Sequence, residues 1–168
     1  MISVTTILHP TDFSPSAEEA FQLAEALAGG QKSNLVILHV VPPDGPAVFA
    51  GKMRVHVKRD EERNRRRDAL RQLRPSNPRV SVEYRLAEGD VGAEIVRAAN
   101  QSHADVIVMG SRGRTGLERL ALGSVADQVM RQAPCPVVTV TATPVRHASP
   151  GPYSIREGSP GREPAAIG

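Results

Sequence analysis

The chain has 168 residues, of which 40% are hydrophobic and 23% charged, so it fits one globular domain and leaves little room for a second. With three Phe, two Tyr and no Trp, the core must consist of Val, Leu, Ile and Ala. The formal charge of +3 does not indicate a general nucleic-acid surface, because residues 54–74 alone carry nine Lys or Arg against four Asp or Glu.

The first elements alternate between strand and helix patterns. Val4 to Leu8 predicts a short strand, and turn and cap residues follow it before a helical apolar pattern over 17–28, which Gly29 and Gly30 are expected to end. Residues 34–41, NLVILHVV, run almost unbroken in apolar side chains. Such a run predicts a strand that is buried on both faces.

The middle of the chain continues the alternation. A Pro/Gly-rich connection is predicted from Pro42 to about Gly51, then an arginine-rich helix over Arg54 to Leu73, then a strand over Val80 to Leu86. The simplest interpretation of the arginines is a solvated helix face. Nucleic acid is not an expected partner, because the segment lacks aromatic platforms. A helix capped by Asp90 follows.

The last elements are a buried strand over 104–110, a glycine-rich segment, a helix from about Ser124 to Gln132 and a strand over 136–141. Residues 1–143 form the predicted domain. Residues 144–168 are rich in Pro, Gly and Ser and predict a disordered tail. No apolar run reaches the roughly 20 residues of a membrane helix, and Cys135 is the single cysteine, so we expect a cytoplasmic protein without a membrane partner.

Five strands alternating with four helices predict an α/β fold, a single open, doubly wound parallel sheet with helices on both faces. Ligands of such sheets bind beyond the carboxyl ends of the strands, where the strand order reverses. If the first and fourth strands are central neighbours, Pro10, Thr11 and Asp12 meet Gly110 at that crevice. Asp12 and Ser14 are both candidates to cap the first helix.

The glycines suit the binding of phosphate. Gly110 and Gly113 allow the backbone to approach a ligand closely, while Gly123 and Ser124 begin a helix whose amides and dipole favour an anion. Ser124 could also serve only as a helix cap. The P-loop and dinucleotide motifs GxxxxGK[ST] and GxGxxG are absent.

The spacing GxxGx9G[ST], met by Gly110, Gly113, Gly123 and Ser124, resembles the signature of the universal stress protein family in its ATP-binding branch. The segments ILHPTDFS, LVILHVV, EGD and APCPVVTV are similar to that family in the same order. The resemblance covers residues 1 to about 141. It implies strand order 3-2-1-4-5, ATP in the crevice between strands one and four, and homodimers formed through the last strand.

The resemblance also implies a role for each site residue. Expected ligand contacts are Pro10, Thr11 and Asp12 at the adenine and ribose, Val40 at the base, Met109 and Gly110 at the ribose, and Gly113, Gly123, Ser124 and Val125 at the phosphates. Independently of the resemblance, Arg112 is either a phosphate contact, which its guanidinium suits, or a solvated loop charge. A divalent cation, Mg²⁺ or Mn²⁺, is expected with ATP, and Asp12 or Ser124 could contact it. His9 stands where the family often has an apolar or aromatic residue.

These residues favour an ATP-binding stress-response protein that signals through the bound nucleotide to an unidentified protein partner, without efficient catalysis, since no base is evident beside the glycines. A slow ATP hydrolase or phosphotransfer enzyme using Asp12 and a metal is one alternative. The other is an interaction scaffold that binds another adenine nucleotide or none.

Overall fold

A computed structural model describes the protein over residues 3–43, 48–50, 53–55, 59–112 and 122–142. The helices are α1 (Pro15–Gln31), α2 (Arg59–Gln72), α3 (Val91–Ser102) and α4 (Ser124–Gln132). The strands are β1 (Thr6–Pro10), β2 (Asn34–Val41), β3 (Val48–Ala50), β4 (Met53–Val55), β5 (Ser81–Glu88), β6 (Val106–Gly110) and β7 (Val137–Val140). Gly113 and the predicted tail at 144–168 lie outside the described residues.

Five of these strands form one parallel sheet in the order β5-β2-β1-β6-β7. Without the two short strands β3 and β4, this is the order 3-2-1-4-5, so the predicted fold is confirmed. The order reverses on either side of β1, because the chain moves outward to β2 and β5 and then crosses back to β6. The carboxyl ends of β1 and β6 therefore border the crevice where such sheets bind ligands.

The sheet separates two apolar cores. Successive side chains of a strand point to opposite faces, so Ile7 packs with α1 and α2 while Leu8 packs with α3 and α4. In β2, Leu35 and Val36 divide in the same way, and both are fully buried. Burial on both faces explains why the central strands have unbroken apolar sequences.

The arginine-rich segment differs from its prediction. The predicted helix over Arg54 to Leu73 begins only at Arg59, and Arg54 lies in β4, which pairs antiparallel with β3. The predicted connection before it thus contains a strand. Val48, Phe49 and Val55 favour extended backbone, and this local preference outweighs the helical tendency of the neighbouring arginines.

The end of α1 also differs, because Gly29 and Gly30 lie inside the helix and do not end it. The helix continues to Gln31, and Lys32 then adopts the left-handed conformation at φ 57° with its amide bonded to the Ala28 carbonyl. Glycine lowers helix stability by only about 1 kcal/mol, which the buried alanine face of α1 can offset. Among the described residues, no helix combines the length and apolar character needed to span a membrane.

Candidate functional site

A cavity of about 610 Å³ opens at the carboxyl edge of β2, β1 and β6. It is lined by every residue that the sequence predicted for the site, apart from Gly113, which lies outside the described residues. These lining residues are Pro10, Thr11, Asp12, Val40, Met109, Gly110, Arg112, Gly123, Ser124 and Val125. The topology thus gathers residues from four separate stretches of the chain.

The turn after β1 holds Asp12 at the edge of the cavity. The Thr11 amide donates to the Leu38 carbonyl at 2.8 Å, and the Ser14 amide donates to Asp12 Oδ1 at 3.0 Å. Phe13 between them has a φ of 62°, a conformation that non-glycine residues adopt only where neighbouring bonds hold it. Ser14, not Asp12, caps α1, because its hydroxyl accepts the Ala17 amide. The carboxylate of Asp12 therefore has no capping role in α1.

Gly110 at the end of β6 is required by packing. A Cβ at this position would lie 2.7 Å from Ser16 Oγ and 3.0 Å from the backbone nitrogen of Ala17. The Ser16 hydroxyl also donates to the carbonyl of Arg112 at 2.5 Å, which fastens the start of α1 to the segment after β6. Gly110 thus lets α1 pack closely against β6, whether or not a ligand approaches it.

The start of α4 offers an anion site. Gly123 is the N-cap and therefore supplies no side-chain hydrogen bond, and its amide donates to the Ser111 carbonyl at 2.8 Å. The first helical hydrogen bond runs from the Asp127 amide to the Gly123 carbonyl. The amides of Ser124, Val125 and Ala126 come before it and therefore have no carbonyl partner within α4. Ser124 is the first helical residue and not the cap. Amides and helix dipole here favour a negatively charged group.

Two helices beside the cavity are joined at one carboxylate. Asp90 caps α3 by accepting the Ala93 amide at 2.9 Å, and the same oxygen accepts Nε2 of Gln128 in α4 at 3.0 Å. These two hydrogen bonds, first that from Ala93 and then that from Gln128, lower the pKa of Asp90 below its usual value of 3.8. The contact fixes the start of α3, where Val91 lines the cavity, against α4.

Two buried histidines support the floor of the site. His39 Nδ1 donates to the Thr11 carbonyl at 2.7 Å, and its ring lies 4.7 Å from that of Phe13. His9 Nδ1 donates to the Val108 carbonyl at 2.9 Å. Burial lowers the pKa of His9 to about 4, against the smaller opposing effects of the Val108 bond and the charge of Asp12. His39 is also one of the residues that line the cavity, whereas His9 is fully buried and neutral near pH 7.

The described side chains that line the cavity offer few ligands for a metal ion. Among the described residues, no group of three or more His, Cys, Asp or Glu could hold a metal ion. A divalent cation would therefore need ligand phosphates for much of its coordination, as Mg²⁺ commonly does.

The sequence model of the universal stress protein family matches residues 3–141. The chain belongs to this family. A universal stress protein from Methanothermobacter thermautotrophicus is 32% identical over 136 residues, which are 78% of this chain and 91% of the relative. The match confirms the resemblance indicated by the glycine spacing.

Solved structures of universal stress proteins share the fold. UspA from Lactobacillus plantarum is 27% identical, with a TM-score of 0.69 over 83% of this chain and 99% of that one. A universal stress protein solved in complex with cAMP is 23% identical, with a TM-score of 0.62 over 84% of this chain and 100% of that one. The described architecture is therefore the fold of the universal stress proteins.

This universal stress protein has further cavity residues that the sequence did not single out. Val91 and Ile95 of α3 form part of its apolar wall, and their spacing of four residues on one helix face could have indicated this. Ser111 also lines the cavity, and its hydroxyl lies 2.8 Å from that of Thr141. Arg66 of α2 reaches the cavity as well, from a segment that the sequence indicated to be a solvated face.

Proposed function

We propose that this universal stress protein binds ATP in the cavity and acts as a stress-response regulator, without efficient catalysis. The observation that carries the proposal is the juxtaposition of two features in one cavity. An apolar wall that includes Val40 and Ile95 suits a base, and the α4 N-terminus beside Arg112 suits phosphates.

The positions of these features in the cavity support an assignment of the ligand parts. The base would occupy the β2 side against Val40, with Pro10, Thr11 and Asp12 at the adenine and ribose. Met109 and Gly110 would adjoin the ribose from the end of β6. The phosphates would lie at Gly123, Ser124 and Val125, with Arg112 and, outside the described residues, Gly113 as further contacts. The relative solved in complex with cAMP supports an adenine nucleotide as the ligand class.

A divalent cation, Mg²⁺ or Mn²⁺, fits the proposal as a partner of the phosphates. Asp12 and Ser124 both line the cavity and carry the oxygen ligands that such ions prefer. When bound, the ion would neutralise phosphate charge.

The lining argues against efficient hydrolysis. Asp12 is the only carboxylate among the described residues that line the cavity, and one of its oxygens already accepts the Ser14 amide. A base held in a turn at the edge does not by itself position a water in line with a phosphate. Slow hydrolysis through Asp12 is the alternative, and multiple-turnover phosphate release that disappears in a folded Asp12→Ala variant would establish it.

We also propose a homodimer formed through β7. In the described sheet β7 is an edge strand, paired only with β6, and its Val138 is 37% exposed. An uncovered apolar edge strand favours pairing with another chain. Light scattering at micromolar concentration should give the mass of a dimer, and a monomer would contradict this assignment. A protein partner would then sense the nucleotide state of the dimer.

Mass spectrometry of gently purified and then denatured protein tests the ligand. Co-purified ATP supports the proposal, whereas a different adenine nucleotide favours the scaffold alternative. If no adenine nucleotide is retained, calorimetric titration with ATP and Mg²⁺ decides. The absence of binding at millimolar concentration would refute the proposal.

A further inference from the structure

Arg66 differs from the other arginines of α2. The neighbouring Arg63, Arg65 and Arg67 are exposed, whereas Arg66 is half-buried and lines the cavity. A solvated helix face accounts for the exposure of the three neighbours but not for the partial burial of Arg66. One arginine of this basic helix therefore borders the candidate ligand site.

The guanidinium is oriented by an ion pair within its own helix. Arg66 Nε donates to Glu62 Oε1 at 2.7 Å, and the side chains are only 20% and 22% exposed. The contact with Glu62 is made through Nε and holds the plane of the guanidinium in place. The two terminal nitrogens form no hydrogen bond with another described residue.

Arg66 contributes to the end of the cavity that faces away from α4. It lines the cavity together with Val41 and Pro42, where β2 ends, and α2 packs against β2 and β5. β1 separates β2 from β6, so the ends of β2 and β6 are about 10 Å apart at the usual strand spacing. The α4 N-terminus lies beyond β6. Arg66 is therefore at the base end of the proposed ligand and not at its phosphate end.

Among the described lining residues, the one aromatic ring at the base end is the imidazole of His39, which donates to the Thr11 carbonyl and lies 4.7 Å from the ring of Phe13. The other described side chains there are mainly aliphatic, including Val40, Val91 and Ile95. A nucleobase commonly gains affinity from a flat π-surface or a guanidinium plane laid against its face. Arg66 is the described lining residue at this end that can supply a guanidinium plane.

We propose that Arg66 lays its guanidinium against the face of the bound nucleobase and so determines base affinity and preference. This inference rests on the proposed nucleotide site and adds a residue from α2 to it. A purine offers more ring surface than a pyrimidine, so the contact favours purine nucleotides. Glu62 acts as the positioning residue that holds the plane.

The test is calorimetric titration of AMP, ATP and UTP into the wild type and three variants. Arg66→Ala should weaken the binding of AMP and the binding of ATP by the same factor, about three- to tenfold, because the contact is to the base. Arg66→Lys should show most of the same loss of affinity, although it keeps the positive charge. Arg65→Ala, an exposed arginine next in the chain, should bind as the wild type does. The preference of the wild type for ATP over UTP should shrink in Arg66→Ala.

The outcomes separate the two proposals. If the wild type binds none of the nucleotides, the proposed function fails and this inference fails with it. If the wild type binds but Arg66→Ala binds equally well, only the role of Arg66 is overturned. A loss that is larger for ATP than for AMP, or full rescue by lysine, would also overturn it, because either result assigns Arg66 to phosphate charge. Thermal unfolding of each variant, unchanged from the wild type, verifies that α2 remains folded.

Discussion

Acidification from pH 6.5 to pH 4 should destabilise this protein through His9. The ring is fully buried, its Nδ1 donates to the Val108 carbonyl, and its Nε2 has no hydrogen-bond partner among the described residues. A proton added to Nε2 would place an unsolvated charge in the core between β1 and Phe21, whose ring centroid lies 5.7 Å away. The folded protein therefore resists protonation.

The magnitude follows from linkage. The pKa of His9 is about 4 in the folded protein and 6.5 in the unfolded chain, so between these pH values the unfolded state binds the extra proton. The free energy of unfolding must then fall as the pH falls, and the contribution of neutral His9 is fully present above pH 6.5. A pKa difference of about 2.5, at about 1.4 kcal/mol per pH unit, corresponds to a loss of about 3 kcal/mol.

Urea unfolding at a series of pH values measures this loss. His9→Asn provides the comparison, because its side-chain amide can still donate towards Val108 but does not titrate in this range. The variant loses ring packing and is expected to be less stable at pH 7, yet its stability should fall less between pH 6.5 and 4. Parallel pH profiles for the two proteins, or an imidazole pKa near 6.5 by NMR, would refute the reasoning.

Substitutions of Gly110 and Asp105 test the contacts at the two ends of β6, and a substitution of Gly30 in α1 serves as a control. Gly110→Ala should lower the free energy of unfolding by about 1–3 kcal/mol, because its Cβ meets Ser16 of α1, whereas Gly30→Ala, with nothing within 4 Å, should raise it by up to about 1 kcal/mol. Equal effects in thermal unfolding would contradict the assigned contact. Asp105→Ala should cost about 1 kcal/mol at pH 7, since one carboxylate oxygen accepts the amide and hydroxyl of Thr5 at 2.7 and 2.8 Å. These bonds lower the pKa of Asp105 from 3.8, so the difference in free energy of unfolding between the variant and the wild type should persist at neutral pH and disappear in stronger acid. Equal stability of the two proteins at pH 7 would argue against a stabilising role of Asp105.

Much of the fold could be predicted because buried parallel strands have a recognisable sequence. Residues 34–41 and 104–110 are apolar almost without interruption, and helical patterns separate the strands. The hairpin of β3 and β4 was missed because three-residue strands are too short to show alternation. The end of α1 was misplaced because Gly30 signals a stop locally, while the packing of the whole helix decides where it ends.

The candidate site was predictable where the backbone defines it. Asp12, Gly110 and Ser124 follow strand ends or begin a helix, so topology alone brings them together. The packing role of Gly110 was not predictable, because it depends on how closely α1 crosses β6. Arg66 could not be distinguished from its neighbours by sequence spacing, since only tertiary packing places one arginine of α2 in the cavity.

If the N-terminus of α4 holds the phosphates of ATP, a negative charge placed there must weaken ATP binding. Ser124→Asp places a carboxylate at the first position of the helix, where the helix dipole stabilises it but where it repels a bound phosphate. At about 5 Å such repulsion amounts to about 1–3 kcal/mol, a 10- to 100-fold loss of affinity. Gln132→Asp makes the same charge change at the other, exposed end of α4.

Calorimetric titration of ATP into the three proteins is the decisive measurement. We predict binding by the wild type and by Gln132→Asp with similar dissociation constants, and at least tenfold weaker binding by Ser124→Asp, whose thermal stability is maintained. Equal affinity of Ser124→Asp and Gln132→Asp would contradict the account, because the phosphates would then lie elsewhere.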